Sequence, residues 1–198
     1  MTNRDQAMRY LIRIIIIAYL LAFPSVSIAR EWSTAAEQQA IYLKHLQYEY
    51  RNRELAYLGM SKAAKFSAKS DQAPFYQAYY ELEQLNQKIY GPMKNTLGVD
   101  YRPNWFMRNG LHLLTYLGWH SVSAQQLVDM IAPNIPRLKE MEALSSPRHK
   151  PFFYYVVVQK QAQLEASRAV LEGDWESGAK VLRDFVEKYR RLDPDAPV

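Results

Sequence analysis

A seven-residue recurrence over residues 34–68 constrains this chain more than any other feature. Ala36, Leu43, Tyr50, Tyr57 and Ala64 return at that interval, with Leu46 and Met60 between them. Side chains share a helical face every three or four residues, so this spacing lays one apolar stripe along a single long helix. Arg53 interrupts the stripe. Thr34-Ala35-Ala36-Glu37 has the form of a capping box and marks the start of the helix. Such a helix has to bury its stripe against other elements, and the rest of the chain supplies helices rather than strands.

Ser70-Asp71-Gln72-Ala73-Pro74 carries helix-start chemistry, and Phe75, Tyr79, Leu82, Leu85 and Ile89 then fall on one face until Gly91-Pro92. Residues 91–104, with two glycines and two prolines, are expected to form the longest irregular stretch. Asn104 is placed to cap a helix from Trp105 to about Gly118. Ser121 or Ser123 caps a short one to Ala132, and Pro133 and Pro136 restart the chain for a helix to Leu144. Phe152–Val158 (FFYYVVV) has strand-like composition. It has no partner strand, however, and a lone strand leaves its backbone groups unsatisfied. The helical spacing of Ala162, Ala166 and Ala169 extends the run, so Pro151–Glu172 is expected to be one buried helix. Gly173 turns the chain, Asp174 caps, and Trp175, Ala179, Leu182, Val186 and Tyr189 line a last helix. The expected fold is all-α, a bundle of about six or seven helices ending in an α-hairpin.

The N-terminus has the pattern of a secretory signal peptide. Arg4, Arg9 and Arg13 precede the apolar run Ile14–Phe23, Pro24 breaks it, and Ser27 and Ala29 stand at the small-residue positions before a cut. The apolar run is about half of the ~20 residues that a membrane span requires. Residues 1–29 are therefore expected to be the signal and residues 30–198 a single helical domain, periplasmic or secreted. The alternative is an uncleaved segment that anchors the chain in the inner membrane facing the periplasm. In that case the N-terminal segment is the only membrane contact.

The chain has no cysteine, which excludes disulfides, thiolate metal sites, Cys nucleophiles and an acylated N-terminal Cys. The formal net charge is +5, of which the signal carries +2. A remainder of +3 does not call for nucleic acid.

Residues 159–197 resemble one tetratricopeptide-like helical hairpin. The likeness lies in Ala166, Ala169, Gly173-Asp174-Trp175 and the closing Asp193-Pro194-Asp195-Ala196-Pro197. It implies a tight turn at Gly173, close helix approach at Ala166 and Gly178, and protein or peptide binding without catalysis. The spacing from Gly173 to Pro194 is longer than the family's, and one unit alone is visible.

No catalytic motif survives a check of context. Glu176-Ser177 resembles the catalytic pair of lytic transglycosylases, but only 22 residues follow Glu176. Ser177-Gly178-Ala179-Lys180 has the Ser-x-x-Lys form without its companion motifs, and Gly59-Met60-Ser61-Lys62-Ala63 lies within a helix pattern. No Glu-x-x-His or His-Glu-x-x-His pattern includes His45, His112, His120 or His149, so no metal or other cofactor is expected. His45 and Glu49 share a helical face and are expected to form a surface pair.

The function expected is that of an exported adaptor binding an envelope protein or peptide. Aromatic residues concentrate at 75–119, and Tyr and Trp are favoured at binding surfaces. The candidate contacts are Tyr101, Arg102, Trp105 and Trp119, with His112 and His120 flanking the aromatic stretch 116–119. Lys62, Lys65 and Lys69 form a basic stripe suited to an anionic surface. The rival function is a helical envelope enzyme or cofactor carrier using His45, His112 or His120. A membrane-anchored component of an envelope complex is a third.

Overall fold

The computed structural model describes residues 35–99 and 123–191. The chain divides into two compact units, residues 1–39 and 40–198, and of the first the described part is 35–39, the opening of the first helix. The described residues are helical, with no strand among them. They form α1 (Ala35–Phe66), α2 (Ala73–Thr96), α3 (Ala124–Ile131), α4 (Ile135–Leu144), α5 (Lys150–Leu171) and α6 (Trp175–Arg190), and a 3-10 turn, Ala132–Asn134, links α3 to α4. The signal-like segment, Thr34 and the helix expected at 105–118 lie outside the described residues.

The expected stop at Gly91-Pro92 does not occur; α2 runs on to Thr96 with Pro92 inside it. The carbonyl that loses its donor at Pro92 is that of Lys88, an exposed residue, so it can turn to water. The true terminator is Gly98, at φ +67°. Val99 N–H donates to Lys94 O at 3.0 Å and Gly98 N–H to Asn95 O at 3.2 Å, the paired bonds of a Schellman cap. Val99 is buried as the apolar residue just past the cap. Gly173, at φ +92°, ends α5 in the same way, with Asp174 N–H donating to Ala169 O and Gly173 N–H to Val170 O, both at 3.0 Å. Asp174 then caps α6, its Oδ1 accepting from Ser177 N–H at 2.8 Å. At α3 it is Ser123 that caps, in a reciprocal box with Gln126.

The strand-like run Phe152–Val158 lies in α5, as its lack of a pairing partner required. Phe152, Phe153, Tyr155, Val156, Val157, Leu164, Ala166 and Val170 are buried, while Tyr154, Gln161, Glu165 and Arg168 mark a narrow exposed stripe. A helix buried on nearly every side belongs inside a bundle. α3, α4 and α6 all pack on α5, and α6 packs on α2 as well.

Cross-helix contacts set the directions. Tyr42 meets Phe153 edge-on, and seven residues further along both helices Glu49 meets Lys160, so α1 and α5 run parallel. Tyr50 to Tyr90, Arg53 to Glu83 and Tyr57 to Tyr80 make α1 and α2 antiparallel. Tyr90 to Phe152, Asn86 to Tyr155 and Glu83 to Gln163 make α2 and α5 antiparallel. The α5/α6 hairpin packs Tyr155 against Phe185 and Tyr189. Two antiparallel hairpins, α1/α2 and α5/α6, therefore lie together with their equivalent helices parallel.

Gly178 is where α6 comes closest to its neighbours. A Cβ there would lie 2.7 Å from Val170 Cγ2, 2.8 Å from the Ala166 carbonyl oxygen and 3.2 Å from Phe75 Cδ2. One of these obstacles is backbone and cannot rotate away. Gly178→Ala is expected to destabilise the protein by about 1–3 kcal/mol through overpacking. Urea denaturation followed by circular dichroism measures this, and an unchanged midpoint would show that the helices can separate freely at this point.

Candidate functional site

The most unusual chemistry among the described residues is a layer of charge sealed inside the bundle. α1 contributes Glu49 and Arg53, α2 contributes Glu83, Asn86 and Tyr90, and α5 contributes Tyr155, Gln159, Lys160 and Gln163; all are buried. Glu83 is fully enclosed. Its Oε1 accepts from Arg53 Nη1 and from Gln163 Nε2, each at 2.8 Å, and its Oε2 accepts from Asn86 Nδ2 at 3.0 Å. Asn86 Oδ1 in turn accepts from the Tyr155 hydroxyl at 2.7 Å. Glu49 Oε1 lies 3.1 Å from Arg53 Nε and 3.7 Å from Lys160 Nζ, and accepts from the Tyr90 hydroxyl at 3.2 Å. Two carboxylates thus face two cations, and the layer is formally neutral.

That neutrality makes the burial tolerable. An isolated ion in a protein interior is penalised by several kcal/mol, and close opposite charges with further hydrogen bonds offset the penalty. Burial alone would lower the Arg53 pKa, but Glu83 and Glu49 override it and hold the guanidinium above its ordinary range. Lys160 is less well served. Burial and then Arg53 push its ammonium down to about 8 against the pull of Glu49 and Glu83. Burial holds the Tyr90 and Tyr155 hydroxyls well above their usual range, so both stay protonated donors.

Arg53, which interrupts the apolar stripe of α1 in sequence, is therefore a core residue with its own partners. The expected surface pair of His45 with Glu49 is not formed. Glu49 is 2% exposed and engaged by Arg53, Tyr90 and Lys160. His45 is half-buried on the same helix, and burial, then Arg137 and Lys44, push its imidazole down to about 4. Among the described residues no group of three or more His, Asp or Glu side chains is gathered as a metal site requires.

The candidate contacts Tyr101, Arg102, Trp105, His112, Trp119 and His120 lie outside the described residues. Part of the aromatic concentration at 75–119 is described, and that part is core. Phe75, Tyr76 and Tyr79 are buried, Phe75 packs edge-on against Tyr76, Tyr79 and Trp175, and half-buried Tyr80 meets Tyr57. In the basic stripe Lys65 and Lys69 are exposed at the end of α1 and in the turn beyond it. Lys62 is half-buried, its pKa lowered by burial and then by Lys65. No helix among the described residues is long and apolar enough to cross a membrane.

Gln159 shows the other side of this layer. It is fully enclosed, and neither amide atom has a hydrogen-bond partner in the protein. Gln159→Leu is expected to be neutral or to stabilise by about 1 kcal/mol, because it removes an unsatisfied buried amide. Arg53→Met strands two carboxylates and is expected to cost about 3–5 kcal/mol. Urea titrations of both variants test this, and equal losses would show that the layer does not hold the helices together.

The His45 shift has a definite sign. Its folded pKa, about 4, lies below the ordinary value of 6.5. The neutral form is favoured in the fold, so the stability it supports is complete above pH 6.5 and is lost as pH falls toward 4. His45→Gln is expected to flatten the acid limb of a stability profile between those values. Superimposable acid limbs for the two proteins would refute this placement of His45.

No protein-family model, curated protein or solved structure matches this chain.

Proposed function

We propose that this chain is exported and acts outside the cytoplasm as a helical binding protein for an envelope protein or peptide, without covalent chemistry. The observation that favours it most is the pair of antiparallel hairpins, α1/α2 and α5/α6, with equivalent helices parallel. Helical scaffolds that stack hairpins in this way present an extended surface for recognition. The tight turn at Gly173 and the close approach of Ala166 to Gly178 are features that a tetratricopeptide-like hairpin would need. Among the described residues, the buried Glu49, Arg53, Glu83 and Lys160 are engaged with one another across three helices, an arrangement suited to holding a scaffold.

The proposed contacts are Tyr101, Arg102, Trp105 and Trp119, with His112 and His120 beside them, and the exposed Lys65 and Lys69 with Lys62 as a secondary contact to an anionic surface. Large aromatic anchors with a polar rim provide most of the free energy at such surfaces. The signal-like pattern of residues 1–29 supports export.

The test is co-purification of the full chain from the envelope fraction of its own cell, repeated with the double variant Tyr101→Ala/Trp105→Ala. A stoichiometric partner that is retained by the wild type and lost, about tenfold or more, by the variant is the expected result for hot-spot residues. Equal retention by both would remove residues 101–105 from the interface. Bound metal or haem in place of a protein partner would favour the cofactor-carrier alternative.

A further inference from the structure

Outside the ionic layer one guanidinium, bonded to Tyr48, keeps two N–H groups that no described residue accepts. Arg137, in the first turn of α4, lies over the Tyr48 ring of α1 at 4.2 Å, and Arg51 lies over the same ring at 5.2 Å. Two guanidiniums thus converge on one phenol. Among the described residues no carboxylate comes within ion-pair distance of Arg137, and the first turn of α4 holds no acidic side chain. Arg137 is half-buried, and its Nε and Nη2 atoms are enclosed with no hydrogen-bond acceptor. Those two N–H groups point the same way from one edge of the guanidinium. They form the fork that matches two oxygens of a carboxylate or phosphate.

The surroundings favour a negative charge. Lys44 and His45 stand on the same stretch of α1, and the carboxylate that acts on Arg137 is Glu49, whose Oε1 is engaged by Arg53 and Lys160 and whose Oε2 has no hydrogen-bond partner. Burial lowers the Arg137 pKa, so the guanidinium is partly stripped of water before any ligand arrives. A desolvated fork over an aromatic face loses little hydration on binding and gains two charge-assisted bonds.

We propose that the Nε/Nη2 edge of Arg137, seated on Tyr48 between α1 and α4, is a binding site for an oxyanion, a carboxylate or a phosphate. Arg51 and Lys44 add positive charge around it. None of its residues is among the contacts proposed at residues 101–120, and it does not depend on them.

The experiment follows the side-chain Nε–Hε resonances of the uniformly ¹⁵N-labelled full chain by NMR. Sodium phosphate and sodium acetate are titrated separately, with sodium chloride at matched ionic strength as the control. The expected result is a saturable shift of the Arg137 resonance with half-saturation at about 1–10 mM, in the range for a single fork contact. The Arg53 resonance should stay fixed. The His45 pKa should move up when the anion is bound, because a neighbouring negative charge favours the imidazolium. Saturation by phosphate but not acetate, or the reverse, identifies the oxyanion. Arg137→Lys keeps the charge and removes the fork, and should abolish the His45 response. A shift linear in ionic strength and shared by chloride, or no shift at all, would overturn the site. Should a variant fail to fold, the wild-type titration decides by itself.

Discussion

Glu83 ties α1, α2 and α5 together. Its two oxygens accept from α1 through Arg53, from α5 through Gln163 and from its own helix through Asn86, which passes the connection on to Tyr155. Apolar packing tolerates small slides and rotations, because one methyl contact is much like another. Hydrogen bonds to a buried carboxylate do not, since a displaced donor leaves a charge unsatisfied at a cost of several kcal/mol. The layer therefore supplies direction to a bundle whose central helix, α5, is buried on nearly every side.

Around that layer the packing is set by size. Gly178 lets α6 close on Ala166 and Val170 of α5 and on Phe75 of α2. Phe75 then carries a cluster of rings, Tyr76, Tyr79 and Trp175, whose edge-on contacts are the preferred geometry for aromatic pairs. The two glycine caps, at Gly98 and Gly173, end helices by the same pair of backbone bonds and leave the chain free to turn.

Much of the fold is legible in the sequence because helix periodicity is a local signal. The stripe of α1, the capping role of Asp174, a cap at Ser121 or Ser123, and the helical nature of the FFYYVVV run all follow from spacing and from the need to satisfy backbone groups. Gly91-Pro92 misleads because a helix survives a proline where the lost bond faces water, and exposure is not written in the dipeptide. The ionic layer is harder to foresee. Arg53 within an apolar stripe is its one clear mark, while Glu83 beside Leu82, and Gln159 with Gln163 four residues on, are ordinary until three helices are brought together. The aromatic concentration at 75–119 does not separate core from surface, and its described part, Phe75 to Tyr80, is largely core. The empty fork of Arg137 has no sequence signal, since it depends on which of five N–H groups find acceptors.

The parallel pairing of α1 with α5 bears on the order in which this molecule can assemble. Glu49 meets Lys160 only when a residue more than a hundred positions later arrives, and Glu83 waits for Gln163, 80 positions on. Contacts so distant in sequence slow folding, because a long loop must close before any of them is rewarded. Until then the first half of the chain holds charges that resist burial and cannot settle into a finished core. A polypeptide emerging from a narrow passage with its N-terminus first would thus stay unfolded until nearly all of it had come through, and its last hairpin would complete the structure.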